Sequence, residues 1–149
     1  LGVNNVELGE GMAKGFIEGI SSKTYLFPYA KEMLEYLFPK YKLHIITNGF
    51  EEVQYSKLKN SGMDRFFTTV ITSEAADSKK PDPAIFEYAL RISGALASES
   101  IMVGDDLTVD ILGAADAGFD QLYVNHDRKP HTETVTAEVY SLQEIETLL

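Results

Sequence analysis

Three carboxylates follow an apolar run in the last third of the chain. Residues 101–103 are apolar, Gly104 comes next, and Asp105, Asp106 and Asp110 follow. An apolar run that ends in a sharp switch to polar residues predicts a buried parallel strand that ends in a turn. Ligands bind at the carboxyl ends of the strands in open α/β sheets, and clustered hard oxygen ligands suit Mg²⁺. From these residues alone, Asp105 and Asp106 could equally serve only as caps of the following helix.

Two other predicted strands end in groups that suit phosphate. One strand closes with Thr47, Asn48 and Gly49, and Lys80 follows the next strand along the chain. A hydroxyl and turn amides can hold phosphate oxygens, and a lysine can offset anionic charge. Phosphoryl transfer depends on this kind of positioning together with charge stabilisation. The three strand ends therefore predict phosphoryl chemistry at one edge of the sheet.

Predicted strands and helices alternate over residues 29–124. This alternation predicts an α/β fold with a doubly wound, mostly parallel, Rossmann-like sheet and helices on both of its faces. Asp82 and Pro83 signal the start of a helix, and Gly62 and Gly94 signal helix ends. The predicted strands cover residues 43–47, 68–72, 101–104, 121–124 and 139–140, and the predicted helices cover about 30–37, 51–61, 83–93, 107–117 and 142–149, with loops at 73–82 and 125–136.

Residues 1–23 carry a weaker signal. Met12, Phe16, Ile17 and Ile20 follow helical spacing, but glycine recurs there every fourth position. Glycine costs roughly 1 kcal/mol relative to alanine inside a helix. The pattern therefore predicts a helix that depends on its neighbours for stability.

The composition is that of a single globular domain. The chain has 149 residues, of which 44% are apolar, enough for one buried core. A formal net charge of −10 without a cluster of Lys and Arg argues against a nucleic-acid partner. No apolar run approaches the ~20 residues of a membrane helix, so no membrane partner is expected. The absence of cysteine excludes disulfides, thiol catalysis and Cys-ligated zinc, and it fits a cytoplasmic location. His44, His126 and His131 lack metal-site spacing, and we expect them to be structural or solvated.

Taken in order, the motifs resemble those of the haloacid dehalogenase-like hydrolases. The resemblance covers residues 25–149 and is carried by residues 45–49 (Ile-Ile-Thr-Asn-Gly), 80–86 (Lys-Pro-Asp-Pro-Ala-Ile-Phe) and 104–110 (Gly-Asp-Asp-Leu-Thr-Val-Asp). Each motif alone is weak, but the ordered trio is specific. Residues 43–50 are similar to the subfamily that includes pyrimidine nucleotide phosphatases.

The resemblance implies two regions and a set of phosphate-binding residues. Residues 1–23 would be the tail of a helical cap domain, and residues 24–149 would be the core of the fold. Thr47 would hydrogen-bond the transferring phosphoryl group, aided by the turn amides of Asn48 and Gly49. The lysine of the second motif, Lys80, would balance the charge of the nucleophile and the phosphate.

The resemblance also implies a magnesium site. Asp105 would bind Mg²⁺ directly, and Asp106 and Asp110 would be further ligands or would support it. These carboxylates favour a metal-dependent enzyme over a dehalogenase, and Lys80 and Asp105 are compatible with phosphomutase chemistry too.

One part of the family pattern is absent from the sequence. The family's nucleophile is the first Asp of an Asp-x-Asp-x-Thr signature, and no such signature occurs in these residues. In the family, that signature lies on a strand between those that here end at Thr47 and Gly104. Without this strand the sheet would have unpaired backbone groups at its centre. We therefore expect a C-terminal part of a larger enzyme, inactive in isolation, with its own N-terminal segment or a second copy as partner.

The predicted function is that of the C-terminal part of a magnesium-dependent phosphatase for a small phosphorylated metabolite, with nucleotides among the candidates. Two alternatives remain open from the sequence. One is a dehalogenase or phosphomutase of the same superfamily, which the residues upstream would distinguish. The other is a non-catalytic module that binds a partner through its incomplete sheet, which oligomeric state and protease resistance would distinguish.

Overall fold

The structure is a computed structural model that describes residues 6–21 and 24–149. Its strands all run parallel to their neighbours, as the predicted α/β fold requires. Four strands lie within one residue of their predicted bounds, and the fifth begins two residues earlier than predicted. The strands are β1 (Leu43–Thr47), β2 (Phe67–Thr72), β3 (Ile101–Gly104), β4 (Asp120–Val124) and β5 (Ala137–Val139).

The helices begin and end largely at the residues that carry capping signals. The Asp82 carboxylate accepts a hydrogen bond from the Ala84 amide at 2.9 Å, and Gly62 and Gly94 end their helices with φ of 70° and 69°. Of the helix predicted in residues 1–23, Val6–Ser21 is observed, and residues 1–5 and 22–23 lie outside the described part. The helices are α1 (Val6–Ser21), α2 (Ala30–Leu37), α3 (Glu51–Ser61), α4 (Ser73–Ala76), α5 (Pro83–Ser93) and α6 (Gly113–Asp116).

The loop predicted at 73–82 and the predicted C-terminal helix differ in type from the observed elements. The loop predicted at 73–82 begins with the short helix α4, because the Thr72 hydroxyl caps it by accepting a hydrogen bond from Ala75 N at 3.2 Å. The predicted C-terminal helix is a 3₁₀ segment at Leu142–Thr147.

The helix predicted after β3 is divided. It begins as a π-helical segment at Leu107–Leu112 and continues as α6. The Ile111 amide donates to the Asp106 carbonyl, five residues back, at 3.2 Å. π-helical turns are rare and occur frequently at functional sites.

The strands form two sheets that share their cores. β1 pairs with β2, and β3, β4 and β5 pair in that order; among the described residues no hydrogen-bonded pair joins the two sheets. Ile46 of β1 and Met102 of β3 nevertheless pack on one apolar cluster, and Leu43 of β1 and Val103 of β3 pack on another. All of β1 is only half-buried, whereas the last three residues of β4 are fully buried. β1 and β3 therefore pack on the same two apolar clusters, but no hydrogen bond pairs them in the described part of the chain.

The apolar clusters lie against different sets of helices. α5 and α6 contribute to the cluster built on Ile71 and Phe86, while α2 and the C-terminal 3₁₀ segment contribute to the cluster built on Leu122 and Ile145. No helix within residues 6–21 or 24–149 is long and apolar enough to cross a membrane.

Candidate active site

The predicted phosphate-binding groups lie at the carboxyl ends of the strands. Thr47 is the last residue of β1 and is in register with Thr72, the last residue of β2. The Thr47 hydroxyl oxygen accepts a hydrogen bond from the Gly49 amide at 3.1 Å, which leaves the hydroxyl proton to donate. The Gly49 amide, predicted to help hold phosphate, is therefore already paired with Thr47.

Lys80 forms a buried ion pair with Asp110. The Lys80 ammonium lies 2.6 Å from an Asp110 carboxylate oxygen, and each side chain is only 10% exposed. The other oxygen of Asp110 accepts a hydrogen bond from the Asp106 amide at 3.3 Å. Because both charges are withdrawn from water, their geometry has to be well fixed for the pair to be favourable.

Gly104 makes room for this ion pair. A Cβ atom at residue 104 would lie 2.5 Å from the Asp110 Cβ and 2.6 Å from its Oδ2, both too close for real atoms. Since these atoms belong to a short, buried side chain, they cannot easily move away. The glycine at the end of β3 is thus required for Asp110 to approach the strand.

The adjacent carboxylates Asp105 and Asp106 have different roles. One oxygen of Asp106 accepts hydrogen bonds from the amides of Thr108 at 3.0 Å and Val109 at 2.8 Å, so Asp106 is the cap that the sequence left as an alternative. The Asp105 carboxylate is exposed and makes no hydrogen bond or ion pair with any residue that the structure describes. Asp105 is therefore available to a ligand.

The charges at this edge fit a divalent cation. Asp105, Asp106 and Asp110 carry three negative charges against the single positive charge of Lys80. Carboxylate oxygens are the donors that Mg²⁺ takes, and one or two carboxylates commonly suffice because Mg²⁺ keeps several waters. In residues 6–21 and 24–149 no group of three metal-ligating side chains is assembled, and Asp110 is paired with Lys80. The donors suited to a metal are thus Asp105 and the second oxygen of Asp106, and the assignment of all three aspartates as ligands stays a prediction.

Asn48 makes a contact that the sequence did not reveal. Its side-chain amide donates to the Lys80 carbonyl at 2.9 Å, and its side-chain oxygen accepts from the Lys80 amide at 2.7 Å. The Asn48 side chain is therefore occupied by the backbone of Lys80, and the phosphate contact predicted for the Asn48 turn amide stays a prediction. The residues lie 32 positions apart, so no local pattern indicates this contact.

Comparison with known proteins identifies the family. The sequence profile of the haloacid dehalogenase-like hydrolases matches residues 9–124, which is more than half of the chain. The chain belongs to the haloacid dehalogenase-like hydrolase family. This confirms the resemblance that the three motifs indicated.

Named relatives in the family refine the placement. Pyrimidine 5'-nucleotidase YjjG of Escherichia coli (strain K12) is 35% identical over 148 residues, which are 97% of this chain and 65% of that protein. The structure of the putative HAD-hydrolase YfnB from Bacillus subtilis bound to magnesium matches with a TM-score of 0.85 at 30% identity, covering 91% of this chain and 60% of that chain. A dehalogenase structure matches with a TM-score of 0.82 at 28% identity, covering 88% of this chain and 59% of that chain. Within the family, the chain is thus similar to pyrimidine 5'-nucleotidases.

The chain is shorter than its relatives. It spans 51% of the length of curated YfnB and 65% of that of YjjG. The three family motifs are present in order within it, while the Asp-x-Asp-x-Thr signature does not occur in its 149 residues.

Asn125 makes a similar pair of contacts in this haloacid dehalogenase-like chain, and the sequence did not reveal it either: its side chain bonds both backbone groups of a lysine, as that of Asn48 does. Asn125, only 3% exposed, follows β4 directly and bonds both backbone groups of Lys129, at 2.8 Å and 2.9 Å. Its amide also donates to Glu138 at 2.7 Å. The hydrogen bond from the Lys129 ammonium to Asp127, 3.0 Å away, is the main reason why the pKa of Lys129 is raised.

The three histidines have structural surroundings. The ring of His44 hydrogen-bonds the Thr69 hydroxyl, and burial, followed by the charge of Lys42, lowers its pKa. His126 stacks on Phe27 with ring centroids 4.8 Å apart. His131 lies 3.5 Å from Glu138, and no histidine in the described part of the chain belongs to a metal-binding cluster.

Proposed function

We propose that this chain supplies the phosphate- and metal-binding part of a magnesium-dependent phosphatase that acts on a small phosphorylated metabolite. The observation that carries the proposal is that Lys80 connects the segments carrying the three family motifs: its backbone bonds Asn48, next to Thr47, and its ammonium bonds Asp110 in the motif of Asp105. Lys80 is fixed there by Asp110, while Asp105 is left open to a ligand. This separation of a fixed cation from a free carboxylate suits a phosphate ester that binds together with a metal ion.

Each group has a defined task in the proposed site. The Thr47 hydroxyl donates a hydrogen bond to a phosphoryl oxygen, and the Lys80 ammonium offsets the negative charge of the phosphoryl group. Asp105, with Asp106 beside it, holds Mg²⁺, which supplies further charge neutralisation when bound. Asp110 keeps Lys80 in place and does not itself touch the substrate.

The nucleophile has to come from outside these residues. We propose that a strand carrying Asp-x-Asp-x-Thr lies between β1 and β3, supplied by an upstream segment of the same protein or by another chain. Support comes from β1 and β3, which are not paired with each other in the described part of the chain although they pack on the same two apolar clusters. β1 and the last three residues of β3 are only half-buried. Unpaired strand edges of this kind accept an added strand. The chain without such a strand is predicted to be inactive, because positioning cannot replace a covalent nucleophile.

Nucleotides are the first substrates to test, because YjjG is named a pyrimidine 5'-nucleotidase. A panel of pyrimidine and purine nucleoside monophosphates, sugar phosphates and phosphoserine would be assayed for Mg²⁺-dependent phosphate release. The protein assayed would include the residues encoded upstream of Leu1. Preference for nucleoside monophosphates supports the nucleotidase assignment, whereas preference for another phosphate ester refutes it while leaving the phosphatase proposal intact.

The coding sequence upstream of Leu1 tests whether the proposed nucleophile strand exists. An apolar strand followed by Asp-x-Asp-x-Thr is the expected result. A start codon placed directly before Leu1 would overturn the catalytic proposal in its upstream-segment form and would favour a binding module. An upstream signature that lacks its second Asp would point to the dehalogenase alternative instead.

A further inference from the structure

We propose that Asn48 is a positioning residue for Lys80: it holds the lysine backbone so that the ammonium is presented at a fixed point of the site. The catalytic importance of this role rests on the function proposed above, but the positioning itself does not. The inference goes beyond the family motif, in which the residue after the threonine is assigned to phosphate through its amide.

The geometry of the contact is that of a two-point clamp. One side-chain amide bonds both backbone groups of Lys80, donating at 2.9 Å and accepting at 2.7 Å. A single hydrogen bond would leave the Lys80 peptide free to rotate about it, whereas two bonds fix both its position and its orientation. Asn48 is itself fixed at the end of β1, directly after Thr47.

Neighbouring contacts join the same two loops. The Ser73 hydroxyl donates to the Asn48 carbonyl at 3.3 Å, and a Glu74 carboxylate oxygen accepts from the Glu51 amide at 2.7 Å. Together with the clamp, these bonds tie the turn after β1 to the segment between β2 and α5. Thr47 and Lys80 therefore belong to one connected unit despite their distance in sequence.

The clamp matters because Lys80 has to be held at both ends. A lysine side chain has a flexible four-carbon stem, so an ion pair at its tip fixes the ammonium only if the backbone is also fixed. Asp110 holds the tip at 2.6 Å, and Asn48 holds the backbone. Loss of either contact would let the ammonium sample several positions.

Asn125 offers a matched control within the chain. It makes the same pair of bonds to the backbone of Lys129, at 2.8 Å and 2.9 Å, and it also follows the last residue of a strand. The Lys129 side chain, however, is 71% exposed and pairs with the equally exposed Asp127. Removal of Asn125 therefore disturbs a lysine clamp of the same design without touching Lys80.

The direct test is NMR spectroscopy of the lysine ammonium groups in the 149-residue chain. A buried, paired ammonium exchanges its protons slowly enough to give a separate signal, which Lys80→Arg would assign by removing it. We expect Asn48→Ala to broaden or abolish this signal and Asn125→Ala to leave it unchanged. Asn48→Asp keeps the acceptor for the Lys80 amide, so it should retain the signal at a shifted position.

The outcomes distinguish specific positioning of Lys80 by Asn48 from a general loss of structure. An unchanged Lys80 signal in Asn48→Ala would overturn the inference, as would an equal loss in Asn125→Ala. If Asn48→Ala does not fold, the shifted Lys80 signal expected for a folded Asn48→Asp supports the inference, and an unshifted signal overturns it. All of these results are independent of turnover, so failure of the proposed phosphatase function would not be mistaken for failure of the clamp.

Discussion

Two lysines near the carboxyl ends of the strands are held by the same device in different surroundings. Asn48 clamps the backbone of Lys80, and Asn125 clamps the backbone of Lys129. The Lys80 side chain is 10% exposed and lies 2.6 Å from Asp110, while that of Lys129 is 71% exposed and lies 3.0 Å from Asp127.

In each pair, the asparagine and the lysine side chain that it holds differ in burial, and they differ in opposite directions. Asn48 is exposed although its lysine is buried, whereas Asn125 is 3% exposed although its lysine is in solvent. The clamp alone therefore does not decide what a lysine does. The partner of the ammonium decides it, because a buried ion pair fixes a charge while an exposed pair is screened by water.

The comparison predicts its largest difference for removal of the lysines themselves. Lys80→Ala leaves the Asp110 carboxylate buried without a counter-charge, which should lower the free energy of unfolding by about 3–5 kcal/mol. Lys129→Ala removes only an exposed pair and should leave stability unchanged within error. Urea unfolding followed by circular dichroism measures both variants, and equal effects would show that the two ion pairs do not differ as described.

Removal of the asparagines should have the opposite order of effects on stability, with the larger loss at the Lys129 site. Asn125→Ala removes a side chain that is only 3% exposed, together with its hydrogen bonds to both backbone groups of Lys129 and to Glu138, at a cost of about 2–3 kcal/mol. Asn48→Ala exposes its partners to water and should cost about 1 kcal/mol or less. The same unfolding experiment compares them, and a larger loss for Asn48→Ala would contradict the burial difference between the two clamps.

Gly104 distinguishes the two ion pairs, because it makes room for Asp110, the partner of Lys80. Gly104→Ala places a Cβ atom 2.5 Å from that of Asp110, so the carboxylate has to shift, with a loss of about 1–3 kcal/mol. Gly11→Ala is the control, since no atom that the structure describes lies within 4 Å of a Cβ placed there, and alanine favours the helix. The midpoint of thermal unfolding should therefore fall in Gly104→Ala and rise in Gly11→Ala. An unchanged midpoint in Gly104→Ala would refute the close approach of Asp110 to residue 104.

The smallest expected effect concerns His44 of β1 and the pH dependence of the free energy of unfolding. Burial, and after it the charge of Lys42, holds the His44 pKa below its usual value of 6.5. The folded state therefore binds fewer protons there than the unfolded state, so the stabilisation is complete above pH 6.5 and is lost as the pH falls through the folded pKa. Unfolding measured between about pH 8 and pH 5 should show a slope that His44→Asn reduces and Lys42→Gln partly reduces. A slope unaffected by His44→Asn would refute this.

The sequence predicted the parts of the molecule that local pattern determines. The strand ends at Thr47 and Gly104 follow from apolar runs that stop at polar residues, and the cap at Asp82 follows from residue type. The short helix α4 was missed because Thr72 is a good strand residue that also caps. The π-helical segment was missed because its period departs from that of an ordinary amphipathic helix.

The contacts that connect the motifs could not be predicted in the same way. Asn48 meets Lys80 and Lys80 meets Asp110 across separations of 32 and 30 residues, and only the folded sheet brings them together. The sequence indicated that Asp105, Asp106 and Asp110 form a group, but it could not assign a separate role to each. In the structure Asp105 is open, Asp106 caps the following segment and Asp110 pairs with Lys80.

The most direct test of the account is Mg²⁺-dependent phosphate release by two forms of the protein. One form is the 149-residue chain, and the other is the same chain with the residues encoded upstream of it. We expect no turnover by the first form and turnover by the second that EDTA, Lys80→Ala and Asp105→Asn each abolish. Mg²⁺-dependent turnover by the 149-residue chain that is lost in Asp105→Asn would contradict the claim that its nucleophile comes from outside.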